Sequence, residues 1–327
     1  MNAIPGQCPQ TLSGRHVKVA LVGECMIEMR GEPASGFSQT FGGDTLNAAV
    51  YLTRLSPAGV AVDYVTAIGA DSFSDAMRQS WRDEGVGDDL VRVIKGALPG
   101  LYFIQTDTQG ERRFLYWRGE AAARSLFDGP EADAVLQALA DYDYLYLSGI
   151  SLAILTAGGR ERLMQALRLA RESGTRIIFD NNYRPHLWPD AQAARQAYGD
   201  MLRLTDLALI TWEDDAALFG YADVEALFHA YAAFGVGEVA LKRGAASCLV
   251  QCASGRFEVP AEPVQRVVDT TAAGDSFSAA YLACRLQGGD PQRAARWGHR
   301  LAAQVVQHRG ALIPNAAMPT YSSATEA

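Results

Sequence analysis

A chain of 327 residues, 49% of them hydrophobic, can bury a sizeable core. That excludes wholesale disorder and leaves one large α/β domain with a modest appendage, or two small domains. The net charge of −8 excludes a general attraction to nucleic acid or to an anionic membrane, so an anionic substrate must be met by local Arg or Lys.

The opening stretch MNAIPGQCPQTLSGRH has no basic region followed by an apolar run, so no secretory signal is expected, and residues 1–15 read as a flexible polar tail. VKVALVG (17–23) reads as a buried strand, GGDTLNAAVYLTRL (42–55) as a helix entered through two glycines, YVTAIG (64–69) as a strand, and SFSDAMRQSWRDEG (72–85) as a helix ended by Gly85. DYLYLSG (143–149), RIIFDNN (176–182), LALIT (207–211) and EVALKRG (238–244) are further short buried runs. The segments 160–173, 190–203, 213–219 and 223–234 between them have helical spacing. No run approaches the roughly 18 apolar residues of a membrane span. The cysteines, Cys8, Cys25, Cys248, Cys252 and Cys284, form no CxxC pair, and no His stands near Cys248 and Cys252. Reduced thiols in a cytoplasmic protein are therefore expected.

This alternation predicts an α/β fold: a doubly wound, mostly parallel sheet with helices on both faces and its ligands beyond the carboxyl ends of the strands. The tips Gly23-Glu24, Asp180-Asn181-Asn182 and Lys242-Arg243-Gly244 would share that edge. Two stretches, 24–41 and 98–118, alternate with period two instead, the second with a turn at Thr108–Gly110. They predict a small β-sheet lid over the tips. The domain is expected to span 16–318, with a second tail at 319–327.

Two motifs carry chemistry. In VVDTTAAGDSFSAAYLACRLQGG (267–289), the small residues Ala272, Ala273 and Gly274 open a helix that runs to about Gln287. Bare amides and the helix dipole at such an entrance suit a phosphate, and Asp275 beside it can take a proton from an attacking hydroxyl. An Asp there also serves as an ordinary helix-terminal residue. In FGGDTLN (41–47), Gly42 and Gly43 allow close backbone approach, and Asp44 and Asn47 share a helix face from which both can bind hydroxyls. Neither GxxxxGK[ST] nor a GxGxxG after the first strand occurs, which argues against a P-loop enzyme and a dinucleotide-binding domain.

The two motifs, in this order and far apart, resemble the paired signatures of the ribokinase-like (PfkB) sugar kinases, and the resemblance runs over 17–318. Within that family GECMIEM (23–29), LPGLYF (98–103), FLYWRGEAAA (114–123), YLYLSGISLAIL (144–155) and FDNNYRPHLW (179–188) are similar to the branch acting on the sugar acid 2-keto-3-deoxygluconate. The resemblance implies a phosphotransferase with an alcohol acceptor, using ATP and Mg2+, with K+ as a further candidate. It implies Asp275 as base and Ala272, Ala273 and Gly274 as anion hole, although the common family form has Gly at position 272. It maps sugar-acid binding to Gly42, Gly43, Asp44, Asn47, Tyr102, Tyr116, Arg118, Arg184 and Asp275, with the guanidinium of Arg118 suited to a carboxylate. Glu28 is a further candidate to reach a substrate hydroxyl from the lid. Nucleotide binding maps to Asn182, Arg184, Lys242, Arg243, Gly244 and Ser247 with the 272–274 loop. Where many relatives carry NxxE, this chain reads Thr211-Trp212-Glu213-Asp214, and no metal ligand is assigned. A homo-oligomer is implied, with no nucleic-acid or membrane partner. A sibling kinase of neutral sugars and a non-catalytic nucleotide or sugar sensor remain the alternatives.

Overall fold

Uninterrupted apolar runs are stable as strands where helices cover both faces, and such runs form the centre of this molecule. The computed structural model describes residues 16–32, 36–106 and 112–321. The first part of the chain runs β1 (Val17–Val22), β2 (Met26–Glu32), β3 (Gly36–Gly42), α1 (Asp44–Leu55), β4 (Val60–Val65), β5 (Ala67–Ile68), α2 (Ser72–Asp83), β6 (Arg92–Val93), β7 (Gly100–Thr106) and β8 (Arg112–Trp117). The middle follows as α3 (Asp133–Ala138), β9 (Tyr144–Ser148), α4 (Gly149–Ile154), α5 (Ala157–Glu172), β10 (Arg176–Asp180), α6 (Ala191–Leu202), β11 (Leu207–Thr211), α7 (Trp212–Phe219) and α8 (Val224–Phe234). The chain ends with β12 (Glu238–Lys242), β13 (Cys248–Cys252), β14 (Gly255–Val259), α9 (Ala273–Leu286) and α10 (Pro291–Val305).

The large sheet has the order β14-β13-β12-β11-β10-β9-β1-β4. The strands from β4 to β12 in that row pair in parallel, whereas β13 and β14 add antiparallel at one edge. Side chains alternate faces along β1. Val17, Val19 and Leu21 pack with α1, α2, α9 and α10, while Ala20 and Val22 pack with α5, α6 and α8. The expected doubly wound architecture is therefore observed. The lid is a second sheet, β3-β2-β7-β8, built from the two stretches of period-two alternation. The expected turn at Thr108–Gly110 lies outside the described residues, as do Cys8, the 1–15 tail and 322–327.

Three expectations change. The 64–69 run breaks at Thr66 into β4 and β5. The β13–β14 hairpin and α10 were not anticipated. Residues 319–321 are held rather than released as the head of a tail: Arg300 donates to the Thr320 carbonyl at 3.3 Å, and Tyr321 stacks on Trp297 with ring centroids 4.1 Å apart.

Helix entrances fall into two groups, and α1 and α9 share the uncapped kind with α3 and α7. Asp71, Thr156, Asp190, Asp223 and Asp290 cap α2, α5, α6, α8 and α10 with their side chains. The helices α1 and α9 begin instead at Gly43 and Ala272, with no capping side chain, so first-turn amides stay open to a ligand.

Candidate active site

The carboxyl ends of β1, β10 and β12, the entrances of α1 and α9, and the lid strands β7 and β8 enclose an open cavity of about 440 Å³. It is lined by Gly43, Asp44, Asn47, Tyr102, Tyr116, Arg118, Asn182, Arg184, Lys242 and the loop Thr270–Asp275. Most of the sequence-predicted site residues, drawn from segments more than 200 positions apart, thus meet in one place.

Asp275 stands in the first turn of α9. Its Oδ2 accepts a hydrogen bond from Asn47 Nδ2 at 2.8 Å, which ties α1 to α9 across the cavity. Burial, aided by the charge of Asp44, pushes the Asp275 carboxyl up to about 7, while the Asn47 hydrogen bond and Lys242 oppose the shift. A carboxyl raised to that degree is matched to exchanging a proton with a hydroxyl near neutral pH.

The loop before it is held by Asp269, which accepts from the amides of Thr271 at 2.8 Å and Gly310 at 3.0 Å. Ala272 has φ 60°, a left-handed conformation that a Cβ disfavours and that explains why Gly suits this position. The anion hole expected from 272–274 needs one amendment. The Ala273 amide donates to the Thr270 carbonyl at 3.2 Å. Among the described residues the amides of Ala272, Gly274 and Asp275 have no such acceptor, so the open donors are 272, 274 and 275.

Lys242 ends β12, 8% exposed, with Nζ donating to Asp180 Oδ2 at 2.8 Å and to Ser278 at 3.1 Å. A fixed cation beside Gly274 suits a phosphate. Arg243, Gly244 and Ser247 are not brought to this cavity. Successive side chains of a strand point to opposite faces, so Arg243 leaves the Lys242 side. It donates to the Ser247 carbonyl at 2.8 Å and pairs with Glu258 at 2.9 Å. Gly244 sits at φ 58° in the turn that follows. Arg184 lines the cavity half-exposed and pairs with Asp214 at 3.3 Å. Asn182 donates to Asp44 Oδ2 at 2.6 Å, which joins a residue expected on the nucleotide side to one expected on the sugar side.

On the lid side, Tyr102 and Tyr116 face the cavity with ring centroids 5.7 Å apart. Gly42 lies behind them, where a Cβ would collide with the Tyr102 hydroxyl. Glu28 does not line the cavity. It is buried and accepts hydrogen bonds from Tyr102, from Arg30 at 3.2 Å and from Thr40 at 3.2 Å, so its role is to brace the lid.

The expected carboxylate receptor, Arg118, is already paired with Glu24, which is 2% exposed and whose carboxyl is pushed up by burial against the pull of Arg118. Sequence reading placed Glu24 and Asp180 at strand tips but gave neither a partner. A charged residue closing a buried run was the available signal.

The model of the family described as pfkB family carbohydrate kinase matches residues 17–318. A 2-dehydro-3-deoxygluconokinase from Dickeya dadantii is 52% identical over 305 residues, covering 92% of this chain and 98% of that protein. A protein of the same name from Escherichia coli K12 is 50% identical over 306 residues, covering 92% and 99%. An Escherichia coli structure assigned provisionally as ribokinase II, solved with ATP and Mg2+, superposes with a TM-score of 0.79 at 26% identity, covering 90% and 94%.

Proposed function

The chain belongs to the pfkB family of carbohydrate kinases, and on that footing we propose that it transfers the γ-phosphoryl group of ATP to the 6-hydroxyl of 2-dehydro-3-deoxygluconate. This compound is the 2-keto-3-deoxygluconate of the sequence resemblance. The observation that carries the reading is the meeting of Asp275 with the open amides of 272, 274 and 275 in one cavity.

Asp275 takes the proton of the hydroxyl as its oxygen attacks the γ-phosphorus in line, and ADP leaves with the former bridging oxygen. Open amides and Lys242 stabilise charge on the phosphoryl group as it moves. Asn47 holds Oδ2 of the Asp275 carboxylate, which leaves Oδ1 to accept the proton. Tyr102 and Tyr116 pack against the carbon chain, while Arg118 and Arg184 meet the substrate carboxylate. Lid closure excludes water and limits ATP hydrolysis.

An Mg2+ brought in with ATP would be held chiefly by phosphate oxygens and water. When bound with ATP, Mg2+ neutralises phosphate charge, and Asp214, lining the cavity, is the carboxylate that would hold its waters. K+ is a candidate activator. A cytoplasmic reaction goes with this reading. Among the described residues no helix is long and apolar enough to cross a membrane. Phe37 and Trp117, exposed on the lid, support a homo-oligomer.

The test is ADP release across a panel of keto-deoxy sugar acids, ribose and fructose. The account predicts that 2-dehydro-3-deoxygluconate has the highest kcat/KM. A preference for a neutral sugar would reassign the substrate, and ADP release with none of them would favour a sensor.

A further inference from the structure

The contacts behind the tip of β10 take no part in the scheme above. Asp215, in the first turn of α7, is fully buried, and burial pushes its carboxyl up to about 7. Its Oδ1 accepts from Asn181 Nδ2 at 2.9 Å, and its Oδ2 from the Tyr231 hydroxyl of α8 at 2.7 Å.

Asn181 has both ends of its amide engaged. Nδ2 also donates to the Thr211 carbonyl at 2.9 Å, and Oδ1 accepts from the amides of Thr211 and Asn182, each at 2.9 Å. Its backbone carbonyl accepts from the Tyr198 hydroxyl. The clamp pins the end of β10 to the end of β11.

The next residue, Asn182, has φ 27°, a region that a residue other than glycine occupies when its surroundings over-determine it. From there its side chain reaches Asp44, and Asp44 is the charge that joins burial in raising Asp275.

We propose that Asp215 is a positioning residue for phosphotransfer. Acting through Asn181, it locks Asn182 in its strained conformation and so holds Asp44 at the sugar cavity, within electrostatic reach of Asp275. The proposal rests on the phosphotransfer reading of the cavity.

The experiment is the pH profile of kcat/KM for 2-dehydro-3-deoxygluconate, with folding checked by circular dichroism. The acid limb of the wild type reports Asp275, which Asp44, Asp180, Lys242 and Asn47 face. In Asp215→Leu, Asn181 Nδ2 loses one of its two acceptors and keeps only the Thr211 carbonyl, so the clamp loosens, Asn182 relaxes and Asp44 turns away from Asp275. The plateau is expected to fall about tenfold or more. The limb is expected to move to lower pH by about half a unit or more, because a charge that raises Asp275 is gone. Asp215→Asn keeps an acceptor for Asn181 and recovers most of the lost rate.

Tyr231→Phe, which deletes one hydroxyl, gives a smaller shift of the same sign and decides the matter if the Leu variant does not fold. A merely structural residue would lower the plateau and leave the limb in place. An unmoved limb in the folded variants overturns the proposal. Absence of sugar-acid turnover in the wild type would instead refute the phosphotransfer reading itself.

Discussion

Asp275 must carry a charge where burial opposes it, and that conflict has a measurable cost. Its carboxyl rises from an ordinary value of 3.8 to about 7, chiefly through burial and then through Asp44. A carboxyl raised in the folded state contributes stability that is complete below about pH 4 and lost as pH rises through about 7. Asp275→Asn has no such charge. The variant is therefore expected to melt above the wild type at pH 8, by up to about 4 kcal/mol, with the two curves converging near pH 4. Thermal melts across pH 4–8 check this. A variant that melts below the wild type at pH 8 would mean that the ionised carboxylate is better compensated than its surroundings indicate. Stability given up at this residue is consistent with a group kept for chemistry rather than packing.

At the scale of elements, the lid is joined to the large sheet through side chains rather than through a continuous ladder. Arg118, just past the end of β8, pairs with Glu24, just past the end of β1. Glu24 is buried and the Arg118 side chain is nearly so, and Glu24 Oε1 and Arg118 Nε have no partner among the described residues. Arg118→Ala strands the Glu24 carboxylate without its cation and should cost about 3 kcal/mol or more of stability. On the proposed substrate assignment it also removes one of the two guanidinium groups offered to the substrate carboxylate. The KM for the sugar acid should rise at least about tenfold more than that for fructose or ribose. Steady-state kinetics on both substrate classes, with a melting curve, separate the two effects. Equal losses on acid and neutral sugars would leave Arg118 as a structural cation of the lid joint alone.

For the whole molecule, what could be read in the sequence was what repeats at short range. Apolar runs such as LALIT, alternating with helical spacing, announce a parallel sheet, and period-two stretches set the lid apart from it. The entrance of α9 was legible because small residues followed by Asp275 are a local pattern. The β13–β14 hairpin escaped because CLVQC has no clear polar-apolar alternation. The helix α10 follows α9 in the chain and packs against it, but it escaped because much of its buried face consists of small residues, Ala294, Ala295 and Gly298, which give a weak apolar signal. Pairings such as Glu24 with Arg118, or Asn182 with Asp44, join residues 94 and 138 positions apart and leave no local trace. The Arg243–Ser247–Glu258 cluster shows the converse, a motif-like string whose side chains turn away from the cavity.

The central claim is tested most directly by Asp275→Asn in paired measurements of ATP binding by calorimetry and of phosphoryl transfer to 2-dehydro-3-deoxygluconate by ADP release. The account predicts ATP affinity within about threefold of the wild type and turnover reduced by about a thousandfold or more. A variant that binds ATP normally and retains most of its turnover would contradict it.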